Sequence, residues 1–165
     1  LMYLQRELSP PEAITRPPIL KSIREYNEVD LHAAFDSVVA ALPSFGPQTT
    51  LVDTKTLAAT LQQASAATEV TWVTMNEVFL NAPHPSIRRL VRRASLYVIH
   101  FGDWCSLMQG ALVSSDLDSI AETAKHITQS RLEAKEVNGE TESFLEEYSF
   151  SDDEAGYRYR GYFAR

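Results

Sequence analysis

The stretch SIRRLVRRASLYVIHF, residues 86–101, decides the fold class of this chain. Its apolar residues recur every three or four positions, the period that places side chains on one face of an α-helix. The apolar stripe consists of Ile87, Leu90, Val91, Ala94, Val98 and Phe101. The opposite side of the predicted helix carries four arginines, Arg88, Arg89, Arg92 and Arg93. The stretch therefore predicts an amphipathic helix with a basic outer side.

Similar helical patterns flank this stretch on both sides. Predicted helices start near Asp53, Ser86 and Asp118, which are 33 and 32 residues apart (53 to 86, and 86 to 118). In each interval a second helix is predicted about half a period later, with Gly102 ending the first helix and Asp103 capping the next. The predicted fold is all-α, built from antiparallel helix hairpins in a short helical-repeat stack. An irregular helical bundle is the alternative.

The same patterns define a predicted core and two local assignments. The core residues are Leu90, Val91, Ala94, Val98, Leu107, Met108 and Leu112. Residues 70–74 have the β-branched and aromatic composition of a strand, but the helical spacing that follows favours a helix. Asn138 and Gly139 predict a turn.

Segment 49–112 resembles the tetratricopeptide and pentatricopeptide class of helical repeats, in which hairpins of about this length stack. Residues 50–57, TLVDTKTL, are similar to a pentatricopeptide helix start, whereas the tetratricopeptide pattern of Trp, Leu-Gly, Tyr, Ala, Phe and Pro is not met in register. The resemblance implies a protein-binding or RNA-binding scaffold. The alternative that it implies is an accessory subunit of an organellar complex, for example a mitochondrial ATP synthase.

The composition divides the chain into three predicted segments. Residues 1–18 contain four prolines and should form an extended arm, because each proline disfavours helix at the preceding residue. Residues 19–150 form the helical domain. Residues 151–165 form a tail that is first acidic and then rich in aromatic residues and arginine.

Charge and motif content narrow the classes of function. Lys and Arg total 15 against 22 Asp and Glu, so the net charge of −7 disfavours generic binding to a phosphate backbone. Phosphate-binding glycine loops and metalloprotease motifs are missing from the sequence, so no cofactor is predicted. No apolar run approaches about 18 residues, so no membrane span is predicted. Leu1 in place of an initiator Met is consistent with a sequence that starts inside a longer chain or with a removed presequence. The sequence therefore leaves the location open, with an intracellular site expected and the mitochondrial matrix as one candidate.

His100, Asp103 and Cys105 meet at the predicted junction between two helices. These residue types can ligate zinc, and a cysteine near a helix N-terminus can act as a thiolate nucleophile. A closed zinc site needs a fourth ligand, and the other histidines lie in separate predicted elements. We therefore interpret Cys105 as a buried cysteine beside a helix cap, with an enzyme that uses a cysteine nucleophile as a weaker alternative.

The tail and the arginine side of the 86–101 helix are the predicted partner-binding regions. Aromatic residues and arginine are enriched at the energetic centres of protein interfaces. The tail residues of this kind are Tyr157, Arg158, Tyr159, Arg160, Tyr162 and Phe163. The acidic run before them lacks the order of a calcium loop, so it predicts a solvated or arginine-facing surface. The sequence as a whole predicts a non-catalytic scaffold or accessory subunit that binds other proteins, with an RNA-binding repeat protein as the alternative.

Overall fold

The structure, a computed structural model, describes residues 10–41 and 51–164. Over these ranges the chain forms helices and no strand, which confirms the predicted all-α class. The helices are α1 (Pro10–Glu28), α2 (Ala33–Ala41), α3 (Leu51–Asn81), α4 (Pro85–Ser114), α5 (Leu117–Glu147), the four-residue α6 (Asp152–Ala155) and a final 3-10 turn (Tyr162–Ala164).

The three predicted helix starts agree with the structure to within two residues. α3 begins at Leu51, α4 at Pro85 and α5 at Leu117. Polar side chains cap two of these starts, as expected for helix N-termini. The Nδ1 atom of His84 accepts a hydrogen bond from the Ser86 amide at 3.2 Å, and Oδ1 of Asp116 accepts from the Ser119 amide at 3.3 Å. The helical assignment of residues 70–74 is also confirmed, since they lie within α3.

The predicted breaks within the periods are wrong. α3, α4 and α5 are continuous helices of 31, 30 and 31 residues, so each period holds one long helix. Gly102 lies inside α4, where it allows close packing, because a Cβ atom built on it would lie 2.6 Å from Oγ1 of Thr68 in α3. Asn138 and Gly139 lie inside α5 and make no turn. The helices continue because their buried stripes continue, and tertiary packing overrides a local glycine preference.

The three long helices run antiparallel, with α4 in the middle. Along the interface between α3 and α4, residue numbers rise on one helix as they fall on the other: Ser65 lies 3.3 Å from Ser106 between hydroxyl oxygens, and Gln109 donates to the Ala58 carbonyl at 3.4 Å. α5 packs on the other side of α4. There Trp104 stacks on His126 with ring centroids 4.0 Å apart. Connections of three and two residues join the helices, as expected for antiparallel neighbours.

The helices α1 and α2 pack on one face of this three-helix row, and the hydrophobic core lies between them and the row. α2 packs on α3, while α1 packs on α3, α4 and α6. Tyr97 and Phe101 of α4 contact Phe35 of α2, with ring centroids 6.0 and 5.1 Å apart. The tail lies on the same side of α5, where the Tyr157 hydroxyl donates to the Asn138 carbonyl at 3.5 Å.

Six of the seven predicted core residues are buried, and one is not. The buried residues are Leu90, Val91, Ala94, Val98, Met108 and Leu112. Leu107 is 57% exposed, so its assignment to the core was wrong. Because α4 does not restart at Asp103, its buried stripe continues through Cys105 and Met108, and Leu107 points away from that stripe.

The extended conformation predicted for residues 1–18 is wrong from Pro10 onward, because α1 begins there and contains Pro17 and Pro18. Each internal proline removes one backbone donor and disfavours the helix. Apolar burial further along α1 opposes that cost, because Ile19, Ile23 and Tyr26 are each at most 4% exposed. Residues 1–9 of the predicted arm lie outside the described ranges.

Candidate interaction surface

The side of α4 that points away from α2 carries an exposed stripe of mixed character. Arg92, Leu96, Ile99 and Asp103 fall within about 60° of one another around a helix of 3.6 residues per turn. They lie opposite the buried stripe through Phe101. Leu96 is 46% and Ile99 is 37% exposed, and both charged side chains are exposed as well. We call this side of the three-helix row the open face.

Apolar side chains from all three helices meet at one level of the open face. On α3, Trp72 and Val73 are 42% and 52% exposed, and a groove of about 380 Å³ joins them to Ile99. On α5, Leu132 is 60% exposed and lines the groove between α4 and α5. We call these three residues, together with Leu96 and Ile99, the central patch.

The packing between the helices fixes this common level. Gly102 lies against Thr68, so the middle of the α4 stripe, between residues 97 and 98, lies beside residues 72 and 73 of α3. Trp104 lies against His126, which places the same point of α4 beside residues 132 and 133 of α5. The central patch therefore lies at one level across the row, with Trp72, Val73 and Ile99 in one groove and Leu132 in the next.

The four predicted arginines lie on the exposed side of α4 at the start of the helix, and they differ in what they contact. The Nε atom of Arg88 donates to the Ala82 carbonyl at 3.0 Å, which holds the guanidinium at the helix start. Arg93 forms ion pairs with Glu136 and Glu140, each at 3.4 Å. Such exposed pairs are worth at most about 1 kcal/mol.

Arg89, Arg92 and Asp103 have no ion pair or hydrogen-bonding side chain within residues 10–41 and 51–164. All three are exposed on or beside the open face. Their charges are therefore available to a binding partner without loss of a contact within the described chain.

The predicted cluster of His100, Asp103 and Cys105 is not assembled. All three lie in the middle of α4, so Cys105 is far from the helix N-terminus, and the predicted helix junction was wrong. Cys105 is fully buried, and burial raises the pKa of its thiol to about 12. The thiolate that a nucleophile needs is therefore scarce at neutral pH. In the described part of the chain, no three His, Cys, Asp or Glu side chains are grouped to hold a metal ion.

The tail folds back onto its own chain. Ser151 and Glu154 form a capping box at the start of α6, and Gly156 ends that helix in the left-handed conformation, with φ of 68°. Tyr157 then enters the core and is only 6% exposed. Arg160 donates to Asp152 at 2.7 Å, so the acidic and basic parts of the tail neutralise each other.

Polar contacts fasten the end of the tail to the corner between α1 and α2. The hydroxyl of Tyr159 donates to Asp30 at 2.8 Å, and Arg158 forms an ion pair with the same carboxylate at 3.3 Å. The hydroxyl of Tyr162 donates to Asp36 of α2. The tail side chains predicted to bind a partner thus make many of their contacts within this chain.

His32, which no pattern in the sequence singled out, lies under the tail. It is 2% exposed, and its ring centroid is 4.3, 5.3 and 5.8 Å from those of Tyr159, Tyr162 and Phe163. Its Nε2 atom lies 3.3 Å from Oδ1 of Asn138 in α5. Burial lowers the pKa of His32, and this outweighs the opposite effects of the Asn138 hydrogen bond and of two nearby carboxylates. Asn138 gave no distinct signal for this site, because the buried stripe of α5 also holds the polar residues Thr123, Ser130 and Thr141.

Comparisons with known proteins indicate no function for this chain. The chain matches no protein-family model, no curated protein and no solved structure. Over the described ranges, none of the helices is both long enough and apolar enough to cross a membrane.

Proposed function

We propose that this chain is a non-catalytic helical scaffold or accessory subunit that binds another protein chain through its open face. The observation that carries the proposal is the central patch. Five large apolar side chains from three helices, each between 37% and 60% exposed, lie at one level of this face. Exposed apolar surface of this kind, rimmed by polar groups, marks protein interaction sites.

The composition of the patch and its rim also fits a protein partner. Trp72 offers a large aromatic surface, and Arg89 and Arg92 lie at one end, with guanidinium groups that no side chain of the described ranges pairs. Tryptophan and arginine are the residues that most often dominate interface energetics. Covering Leu96, Ile99 and Leu132 would remove apolar surface from water, which is favourable by about 25 cal/mol per Å².

The tail has a smaller part in this proposal than the open face. Its aromatic rings already pack on the described chain, and Arg158 and Arg160 are already paired with carboxylates. Their exposed edges could still extend a contact, so the predicted partner-binding role of the tail remains a proposal.

The finer architectural proposal is that the three long helices form a unit of a repeating helical array. Its support is the regular spacing of the helix starts and the antiparallel packing of successive helices. Assignment to an organellar assembly, such as a mitochondrial ATP synthase, rests on the resemblance to helical repeats alone.

RNA binding is the second candidate, and the observation that favours it is the cluster of four arginines at the start of α4. Three features weigh against it. Arg93 is paired with Glu136 and Glu140, and the chain carries a net charge of −7. A surface that binds single-stranded RNA also combines basic residues with aromatic rings on which bases stack, and no aromatic residue lies between these arginines.

Site-specific crosslinking in cells tests the proposed function. A photo-crosslinking residue would replace Val73 in the central patch or, as a matched control, Arg24 on the exposed side of α1. We expect the Val73 position to crosslink to one defined protein, identified by mass spectrometry, and the Arg24 position not to. Nuclease-sensitive products from Val73 would support RNA binding instead. No product from Val73, or the same products from both positions, would overturn the proposal.

A further inference from the structure

We propose that the partner of the open face is a second copy of this chain, with the two α4 helices packed antiparallel across a two-fold axis. The axis would cross α4 between residues 97 and 98, at the centre of the stripe. This inference rests on the proposed function, that the open face binds protein, and it names the partner.

The spacing of the α4 stripe is symmetric. Successive members Arg92, Leu96, Ile99 and Asp103 are four, three and four positions apart, which is the alternation of helices that interlock along a seam. In an antiparallel pair of identical helices, facing residues have a constant sum of residue numbers. With the axis at the centre of the stripe, that sum is 195 (92 plus 103, and 96 plus 99).

The chemistry of the stripe is complementary to itself in this register. Arg92 of one copy faces Asp103 of the second copy, and the reverse contact follows by symmetry. Leu96 of one copy faces Ile99 of the other, so apolar groups meet apolar groups at the centre. Each two-fold contact is repeated, as in any isologous interface.

The flanking helices agree with the same axis. A two-fold axis that lies in the interface, perpendicular to α4, places α3 over α3 and α5 over α5. The axis crosses α3 between Trp72 and Val73, and it crosses α5 beside Leu132, between residues 132 and 133. The Trp72, Val73 and Leu132 side chains of the two copies would therefore lie close together. On α5, the exposed Lys125 would also face Glu140, which Arg93 of its own chain already pairs.

Two features favour a second copy over an unrelated occupant. Arg92 and Asp103 are unpaired within the described residues, so the proposed contacts would satisfy charges without breaking a contact described within the chain. An unrelated protein would need no symmetry, yet the charged and apolar positions of the α4 stripe are symmetric about one point, and apolar residues of α3 and α5 lie beside that point. RNA is a poor occupant of this stripe, because Asp103 would repel its phosphates.

Charge exchange tests this register in the whole chain. The variants are Arg92→Glu, Asp103→Arg and the double variant, with Lys21→Glu on α1 as a control for the change of charge away from the face. Both target side chains are exposed, and circular dichroism would establish that each variant keeps its helices. Sedimentation equilibrium would then measure self-association across micromolar concentrations.

We expect the wild-type chain and the Lys21→Glu variant to form dimers. Each open-face single variant should weaken self-association by about 10- to 100-fold, because two attractive contacts become repulsive. The double variant should recover it, because the charges are exchanged. An equal mixture of the two single variants should also form dimers. In that mixed pair the two substituted side chains, of opposite charge, would face each other, and the unchanged Asp103 of one copy would face the unchanged Arg92 of the other.

Three results would overturn the inference. They are a wild-type chain that stays monomeric, dimers that the single variants do not weaken, and a mixture that fails to associate. The first of these does not overturn the proposed function, because crosslinks from Val73 to a different protein would still support a protein-binding face. Absence of both crosslinks and self-association would overturn the two together.

Discussion

Acidification should destabilise this fold through His32, which lies buried under three aromatic rings of the tail. The perturbation lowers the pH of the solution from about 7.5 to about 5.5, which is about one unit on each side of the ordinary histidine pKa. Protonation would place a positive charge in a site that is 2% exposed. Burial is the main cause of the lowered pKa, and the nearby Arg158 acts in the same direction. The carboxylates of Asp36 and Asp30 and the hydrogen bond to Asn138 act against it without cancelling it.

Proton counts give the sign and the size of the effect. In the unfolded chain the imidazole binds a proton near its ordinary pKa of 6.5, whereas in the folded chain the pKa of His32 is lower. Between these two values the unfolded chain holds more protons, so the free energy of unfolding falls as the pH falls. Each pH unit in that window removes at most about 1.4 kcal/mol for one histidine. The stability that depends on a neutral His32 is fully present above pH 6.5. It decreases as the pH falls, until the pH is below the pKa of His32 in the folded chain.

Urea unfolding, followed by circular dichroism at the two pH values, measures this loss. The wild-type chain should lose up to about 1.4 kcal/mol more than a His32→Gln variant over this range. A His126→Gln variant is the matched control, because His126 is only partly buried and its replacement should leave the pH dependence in place. If His32→Gln does not fold, titration of the His32 ring by NMR in the wild-type chain gives its pKa directly. Equal losses in wild type and His32→Gln, or a His32 pKa at or above about 6.5, would refute the reasoning.

The packing supports three more predictions. Leu90→Ala should lower the free energy of unfolding by about 2–5 kcal/mol, while the exposed Leu107→Ala should change it by less than about 1 kcal/mol; equal effects in denaturant titrations would contradict the assigned stripe. Cys105 should react with iodoacetamide at neutral pH no faster than the chain unfolds, and mass spectrometry showing rapid alkylation of folded protein would revive a nucleophilic role. Deletion of residues 156–165 should cost at least about 3 kcal/mol, because it removes the buried ring of Tyr157; an unchanged unfolding temperature would show that the tail is not part of the core.

The helix starts and most of the α4 core could be predicted from sequence because both are local signals. A polar cap and a repeat of three or four residues lie within one or two turns, and packing then reinforces them. The predicted starts at Asp53, Ser86 and Asp118 agree with the structure for this reason. The helix assignment at residues 70–74 was correct because apolar spacing decided it over strand composition.

The predicted helix breaks were wrong because the local conformational preferences of glycine and proline are weak compared with tertiary packing. Gly102 costs the helix about 1 kcal/mol in propensity, a cost small beside the burial of Cys105 and Met108 one and two turns later. Its lack of a side chain is needed for the approach of Thr68, which no local pattern reveals. Pro17 and Pro18 likewise disfavour helix locally, yet the burial of α1 depends on residues that follow them.

The tail was the hardest part to predict because its partners are distant in sequence. Tyr159 and Tyr162 donate to Asp30 and Asp36, which are 129 and 126 residues away. The predicted partner-binding role rested on residue type alone, because aromatic residues and arginine are enriched at protein interfaces. The structure places these rings on the chain itself, in a corner between α1, α2 and α5. Three of them, Tyr159, Tyr162 and Phe163, pack against His32 there. The central patch of the open face is one part of the apolar surface that the described fold leaves exposed, and the crosslinking and charge-exchange experiments test it.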